Sequence, residues 1–171
     1  MLHCDRILVE GHTDKVLLEK IISYRVEIEV LGGKGKVING FKNIKSVSVP
    51  LKKGNICFIV DGDEEGYDGV FNSLKDEISD LVKEPPYIKK CIGELCYVLI
   101  IVGDEKDNYR GCVESLLLKE LLNYSNTNTE KIIENIIKYK SNQINLTLCD
   151  KDKIRFYLSI FLLSADTTTL Y

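Results

Sequence analysis

The chain has 171 residues and a mass of 19.4 kDa, which is enough for one domain with a sizeable hydrophobic core. Its net charge of −3 and pI near 5.5 exclude a strongly basic, histone-like nucleic-acid binder, but leave open a local phosphate site built on bound cations. No apolar run reaches the roughly 20 residues of a membrane span, and no signal peptide or regular cysteine framework is visible, so we expect a cytoplasmic protein.

The first elements alternate between strand and helix. Residues 6–10 are apolar and β-branched and predict a strand, and residues 13–24 have the apolar spacing of a helix that buries one face. Residues 26–31 alternate apolar and acidic side chains, which is typical of a half-exposed strand near a sheet edge. A glycine-rich segment at 32–36 then precedes a short helix predicted at 36–45.

Two runs in the middle of the chain are apolar at every position. Residues 56–60 and 96–102 are these runs, and they predict central parallel strands covered on both faces. A helix is predicted at 69–81, ended by the two prolines that follow it, and another at 111–122.

The last third of the chain is predicted to be helical. Residues 130–139 and 150–164 carry apolar side chains at helical spacing after a polar loop. We therefore predict an α/β fold with a mostly parallel, Rossmann-like sheet of about four strands flanked by helices over residues 1–122. Residues 123–171 are expected to form a helical extension packed on the same domain.

Acidic residues follow two of the predicted strands directly. Glu10 ends the first strand, and Asp61 and Asp63 follow the strand at 56–60. Because α/β sheets place ligands in the crevice at the carboxyl ends of their strands, we expect these carboxylates to converge there. Carboxylates that lie close together repel one another unless a cation sits between them, and Mg²⁺ prefers such oxygen ligands. The sequence therefore predicts a Mg²⁺ or Mn²⁺ site at Glu10, Asp61 and Asp63.

Three further acidic residues are candidates for a second metal ion, namely Asp14, Asp104 and Glu114. Asp14 and Glu114 fall in the first turns of predicted helices, where ordinary capping explains an acidic residue equally well. A helix-dipole role for Glu10 is also open.

Basic residues near two glycine-rich turns are candidates for phosphate binding. Lys34 and Lys36 lie in the segment at 32–36, and Arg110 precedes Gly111. The segment lacks the Walker A pattern, so it is no nucleoside-triphosphate loop, and a plain flexible turn is the alternative interpretation.

The order of these motifs, strand–Glu–Gly–helix and later strand–Asp–Gly–Asp, resembles the Toprim domain over roughly residues 6–122. On this resemblance Glu10 is the family's glutamate, Asp61 and Asp63 are its Asp-x-Asp pair, and Asp14 matches an acidic residue of its nuclease-like members. The chain looks most like the small stand-alone Toprim proteins related to the overcoming-lysogenization-defect nucleases. It departs from many catalytic members in continuing the Asp-x-Asp run with Glu64.

The resemblance implies a metal-dependent nuclease that cleaves phosphodiester bonds in DNA or RNA, with Glu10, Asp61 and Asp63 as catalytic residues. The alternative is a non-catalytic module that binds metal and nucleic acid or nucleotide and acts with a protein partner or a second copy of itself. Topoisomerase and primase activity are not expected, because they need further domains. A receiver-like signalling domain is disfavoured, because no lysine partner follows the later strands.

Overall fold

The structure is a computed structural model that describes residues 2–44, 52–113, 115 and 116. The chain divides into two compact units, Met1–Cys112 and Val113–Tyr171. Nearly all described residues belong to the first unit, which is an α/β domain. The helices predicted beyond residue 116 and the predicted boundary at residue 122 lie outside the described residues, so they stay predictions.

In the part of the chain that the structure describes, six strands form one mixed sheet in the order β2-β1-β3-β6-β5-β4. Their bounds are Arg6–Val9 for β1, Glu27–Val30 for β2, Gly54–Asp61 for β3, Val82–Glu84 for β4, Tyr87–Ile92 for β5 and Leu95–Val102 for β6. Strands β2, β1, β3 and β6 run parallel, whereas β5 is antiparallel to β6 and β4 is antiparallel to β5. The predicted α/β class is therefore confirmed, with β1, β3 and β6 side by side.

Three helices accompany the parallel strands: α1 at His12–Ile21, α2 at Lys34–Lys42 and α3 at Gly66–Lys75. Each begins within a few residues of the carboxyl end of the preceding strand, as crossover connections require. The helix N-termini and the strand carboxyl ends therefore share one edge of the sheet. Among the described residues, no helix combines the length and the apolar character that crossing a membrane requires.

The prediction of about four strands is wrong, because the hairpin of β4 and β5 was missed. Helix α3 ends at Lys75, and the chain then forms two short strands that extend the sheet beyond β6. Only Ile88 of β5 is buried, and Lys89 and Lys90 interrupt its apolar pattern. The two-residue turn that joins β5 to β6 contains Gly93, whose φ is 63°, and it was the available signal for β5.

The hydrophobic core has two parts, one on each face of the sheet. One part packs β3 residues Ile56, Phe58 and Val60 against α2 and α3. The other contains Cys57 of β3 and is joined by Leu18 of α1. Successive β3 side chains thus point into opposite parts of the core, which explains why residues 56–60 are apolar at every position.

Two disulfides cross-link the first unit. Cys4 is bonded to Cys57 at the centre of the sheet, and Cys91 to Cys96 across the β5–β6 hairpin. Cys57 lies within the run at 56–60 that the sequence predicted as a central strand, and it is buried. Since disulfides persist mainly in oxidising compartments and in hyperthermophiles, the cytoplasmic location stays a prediction.

The two disulfides should stabilise the fold unequally. Cys4→Ala opens a link across 53 residues, and loop-closure entropy predicts a loss of about 4 kcal/mol in the free energy of unfolding. Cys91→Ala opens a link across 5 residues and should lose about 2 kcal/mol. Urea denaturation without reductant measures both values. Equal losses, or a larger loss for Cys91→Ala, would contradict the loop-length argument.

Candidate functional site

Glu10 and Asp61 meet at the carboxyl edge of the sheet. Glu10 directly follows β1, and Asp61 is the last residue of β3, the adjacent parallel strand. Glu10 Oε1 accepts a hydrogen bond of 2.9 Å from the backbone N–H of Asp61. The backbone carbonyl of Glu10 accepts two more, from the N–H groups of Gly32 and Gly33, each at 2.9 Å. Glu10 therefore connects the ends of β1 and β3 with the turn that leads into α2.

The electrostatic surroundings of Glu10 raise its pKa. Burial makes the largest contribution, and the hydrogen bond from the Asp61 N–H opposes it. The negative charges of Asp63 and Asp14 raise the pKa further, whereas the positive charge of Lys34 lowers it. Glu10 thus interacts electrostatically with two other predicted ligands, Asp63 and Asp14, and with Lys34, a predicted phosphate-binding residue.

Asp63 is placed by a turn and not by an extended strand. Strand β3 ends at Asp61, and Asp63 has a left-handed φ of 48°. Its N–H donates to the Gly111 carbonyl at 2.7 Å, and the Gly111 N–H donates to the Asp63 carbonyl at 2.8 Å. Asp61 and Asp63 therefore do not continue one extended strand. The Asp63 side chain is 53% exposed.

Gly62 is required because the loop after β6 lies directly on it. A Cβ at Gly62 would be 1.6 Å from the carbonyl oxygen of Tyr109, and one at Gly103 would be 2.0 Å from the same oxygen. Gly62 lies between Asp61 and Asp63 in the sequence, and its lack of a side chain lets another group approach closely. The structure places the protein's own backbone there.

Asp104 and Arg110 organise this loop. Asp104 precedes the 3₁₀ helix Glu105–Asp107 and caps it, since its Oδ1 accepts from the Lys106 N–H at 3.1 Å. Arg110 Nε donates to the Glu64 carbonyl at 2.9 Å, and its guanidinium lies 3.2 Å from Asp107. Asp104 follows β6 at the same sheet edge as Asp61, and Arg110 links its loop to the segment that follows Asp63.

Asp14 caps helix α1. Its Oδ2 accepts a hydrogen bond of 2.8 Å from the Gly11 N–H at the start of the helix. This contact favours the capping interpretation of Asp14 over the metal-ligand interpretation. Glu114, the other candidate in a first helical turn, lies outside the described residues.

Lys34 lies among the acidic side chains. Its Nζ is 2.9 Å from Asp63 Oδ2, 3.3 Å from Glu65 Oε2 and 3.5 Å from the Gly62 carbonyl oxygen, and its side chain is 19% exposed. Burial lowers the pKa of Lys34, but the hydrogen bonds and charges of Asp63 and Glu65 outweigh it, so that the pKa is raised. Lys34 therefore carries a positive charge at neutral pH. Lys36, its predicted partner in phosphate binding, is exposed.

The donor chemistry of this edge suits a hard divalent cation, since Glu10, Asp61 and Asp63 offer carboxylate oxygens and Lys34 marks where a positive charge is held. Within residues 2–44, 52–113, 115 and 116, however, no three His, Cys, Asp or Glu side chains are close enough together to hold a metal ion. The predicted ligands thus share one edge of the sheet without forming a coordination shell. The sequence missed the pairing of Lys34 with Asp63, because the two residues are 29 positions apart.

The close approach at Gly62 can be tested against a glycine in open space. Gly62→Ala should reduce the free energy of unfolding by about 1–3 kcal/mol, because a methyl group cannot fit beside the Tyr109 carbonyl. Gly35→Ala meets nothing within 4 Å inside α2 and should stabilise the protein by about 0.5–1 kcal/mol. Urea denaturation measures both. Similar values for the two variants would refute the packing argument.

The raised pKa of Glu10 predicts a pH-dependent gain in stability for Glu10→Gln. A carboxyl group whose pKa is higher in the folded than in the unfolded state stabilises folding while protonated, and that contribution is lost as pH rises through the folded pKa. With a chelator present, the melting temperature of Glu10→Gln relative to wild type should therefore rise from pH 4 to pH 7. A difference that falls over this range would mean that ionised Glu10 is favoured.

Comparison with known proteins adds no relative: no protein-family model, no curated protein and no solved structure matches this chain. The resemblance to the Toprim domain therefore depends on the sequence motifs alone.

Proposed function

We propose that this protein is a Toprim-like, metal-dependent enzyme that cleaves phosphodiester bonds in nucleic acid, with Glu10, Asp61 and Asp63 as its metal ligands. One observation carries the proposal. The Glu10 carboxylate lies at the carboxyl edge of the sheet, 2.9 Å from the backbone N–H of Asp61 and in the electrostatic field of Asp63. This edge is where α/β folds bind their ligands.

Each acidic residue has a distinct part in this proposal. The hydrogen bond from the Asp61 N–H orients the Glu10 carboxylate, so the ligand from β1 is held ready. Asp63 is half exposed on a turn, so its side chain has room to move toward a cation. Mg²⁺ or Mn²⁺, when bound, would offset the charge on the transferring phosphoryl group and activate the attacking water.

The substrate is DNA or RNA in this proposal, and local basic residues bind its phosphates. A net charge of −3 gives no general attraction to nucleic acid, so binding depends on the bound cation and on nearby lysine and arginine side chains. Lys34, Lys36 and Arg110 are the proposed phosphate contacts. Lys34 lies at the site, and the Arg110 side chain is 52% exposed beside the loop that follows Asp63.

One observation favours the alternative, a non-catalytic module that binds metal and nucleic acid or nucleotide and acts with a partner. Among the described residues the carboxylates do not form a ready coordination shell, and Asp63 is paired with Lys34. A site of this kind can bind a cation only after rearrangement.

Metal binding and cleavage can be measured separately. At a Mn²⁺ concentration 100 times its Kd, the free energy of unfolding should rise by about 2.7 kcal/mol, and Asp61→Asn should abolish this rise. Incubation with Mg²⁺ or Mn²⁺ should cleave single- or double-stranded DNA or RNA, and Glu10→Gln and Asp63→Asn should each reduce the rate by more than about 10²-fold. Asp76→Asn, an exposed change at the C-terminus of α3, is the control and should behave as wild type.

The outcomes separate the two functions. A metal-dependent rise in stability without cleavage of any substrate would favour the binding module. Cleavage that survives the Glu10 and Asp63 changes would come from a contaminating nuclease, and the absence of any metal effect would exclude both functions.

A further inference from the structure

Lys34 is the first residue of α2 and lies beside the acidic side chains at the carboxyl edge of the sheet. Its ammonium contacts three oxygens, from Asp63, Glu65 and Gly62, at 2.9, 3.3 and 3.5 Å. Asp63 is a proposed metal ligand, and Gly62 lies between the two aspartates of the Asp-x-Asp pair. The side chain is only 19% exposed, so most of it is packed against the protein.

We propose that Lys34 is a tethered competitor of the metal ion: its ammonium pairs with Asp63 in the metal-free protein and must leave when a divalent cation binds. This inference rests on the proposed function, since it concerns the same site. In this proposal Lys34 lowers the affinity for the metal ion, whether or not it also contacts a substrate phosphate.

Charge is the first argument. Asp63 Oδ2 is not free to bind a metal ion while Lys34 Nζ lies 2.9 Å from it. A divalent cation at Glu10 and Asp61 would also repel an ammonium ion held this near to Asp63. Metal binding through Oδ2 therefore requires the Lys34–Asp63 pair to break, and the free energy of that pair then lowers the affinity for metal.

Mobility is the second argument. Lysine carries its charge on a flexible four-carbon stem. The glycines on either side of it, Gly33 and Gly35, have nothing within 4 Å of a position where a Cβ would be. The ammonium can therefore swing away from Asp63 while helix α2 stays in place. Glu65, whose side chain is 63% exposed, is already 3.3 Å from the ammonium and can stay its partner when the contact with Asp63 breaks.

The same helix supplies a matched control. Lys42, in the last turn of α2, pairs with Glu77, and their side chains are 20% and 56% exposed, compared with 19% and 53% for Lys34 and Asp63. Both lysines thus belong to ion pairs of similar exposure on one helix. Only Lys34 contacts a proposed metal ligand.

The decisive measurement is Mn²⁺ affinity by isothermal titration calorimetry in wild type, Lys34→Met and Lys42→Met. Methionine keeps the length and the apolar stem of lysine but removes the charge. Lys34→Met should bind Mn²⁺ about 3- to 10-fold more tightly, because the competing ion pair and the repulsion are both removed. Lys42→Met should bind as wild type does, and circular dichroism checks that both variants are folded.

A second readout follows the ammonium itself. Acetylation of lysines by a water-soluble ester, located by mass spectrometry, should increase at Lys34 when Mn²⁺ is added and stay constant at Lys42. In the Asp61→Asn variant, Mn²⁺ should no longer increase the acetylation of Lys34, because the cation no longer binds.

The failure of this inference differs from the failure of the proposed function. If wild type binds Mn²⁺ and Lys34→Met binds it equally or more weakly, Lys34 is no competitor, while the metal site stands. If Lys34→Met binds Mn²⁺ and wild type does not, Lys34 competes with the cation so strongly that it prevents binding. If neither protein binds Mn²⁺, both the inference and the proposed metal site are wrong.

Discussion

The contact between Gly62 and the carbonyl of Tyr109 is the constraint on which the candidate site depends. Because no side chain stands at Gly62, the loop after β6 can lie against the end of β3, and the Gly111 backbone then pairs with Asp63. The N–H of Gly66 bonds to the Gly62 carbonyl, and the N–H of Tyr67 to that of Asn108, so α3 begins from the same arrangement. One backbone approach thus sets the turn that carries Asp63, the start of a helix and the position of Arg110.

Electrostatics is the second organising influence. Half-buried Glu10 has a raised pKa beside Asp63 and Asp14, and such a group of carboxylates needs a compensating cation. In the structure that cation is Lys34, whose own pKa is raised by Asp63 and Glu65. On the function proposed above, Lys34 would stabilise the fold without metal and would also oppose a cation that the carboxylates bind. If the proposed function holds, stability and metal binding compete at this side chain, as stability and function often do at functional sites.

Several features were predictable because they follow from local pattern. The runs at 56–60 and 96–102 are apolar at every position since each face of β3 and β6 is covered, and this pattern does not depend on distant residues. The strand–acid order likewise placed Glu10 and Asp61 at one edge of the sheet, where Glu10 Oε1 accepts a hydrogen bond of 2.9 Å from the backbone N–H of Asp61. The β4–β5 hairpin escaped prediction because its strands are short and polar, and they form only against the edge that β6 presents.

By itself, the sequence determined the α/β class, the buried central strands and the position of Glu10 and Asp61 at the ends of two strands, because periodicity and strand order act over short stretches of chain. Only the tertiary structure decided that Asp63 sits on a left-handed turn, that Asp14 caps a helix and that Lys34 supplies the opposing charge. Those features depend on contacts between residues far apart in the chain, such as Gly62 with Tyr109 and Lys34 with Asp63. A local sequence pattern does not predict which distant backbone or ammonium group contacts a given residue, because the packing of the strands decides this.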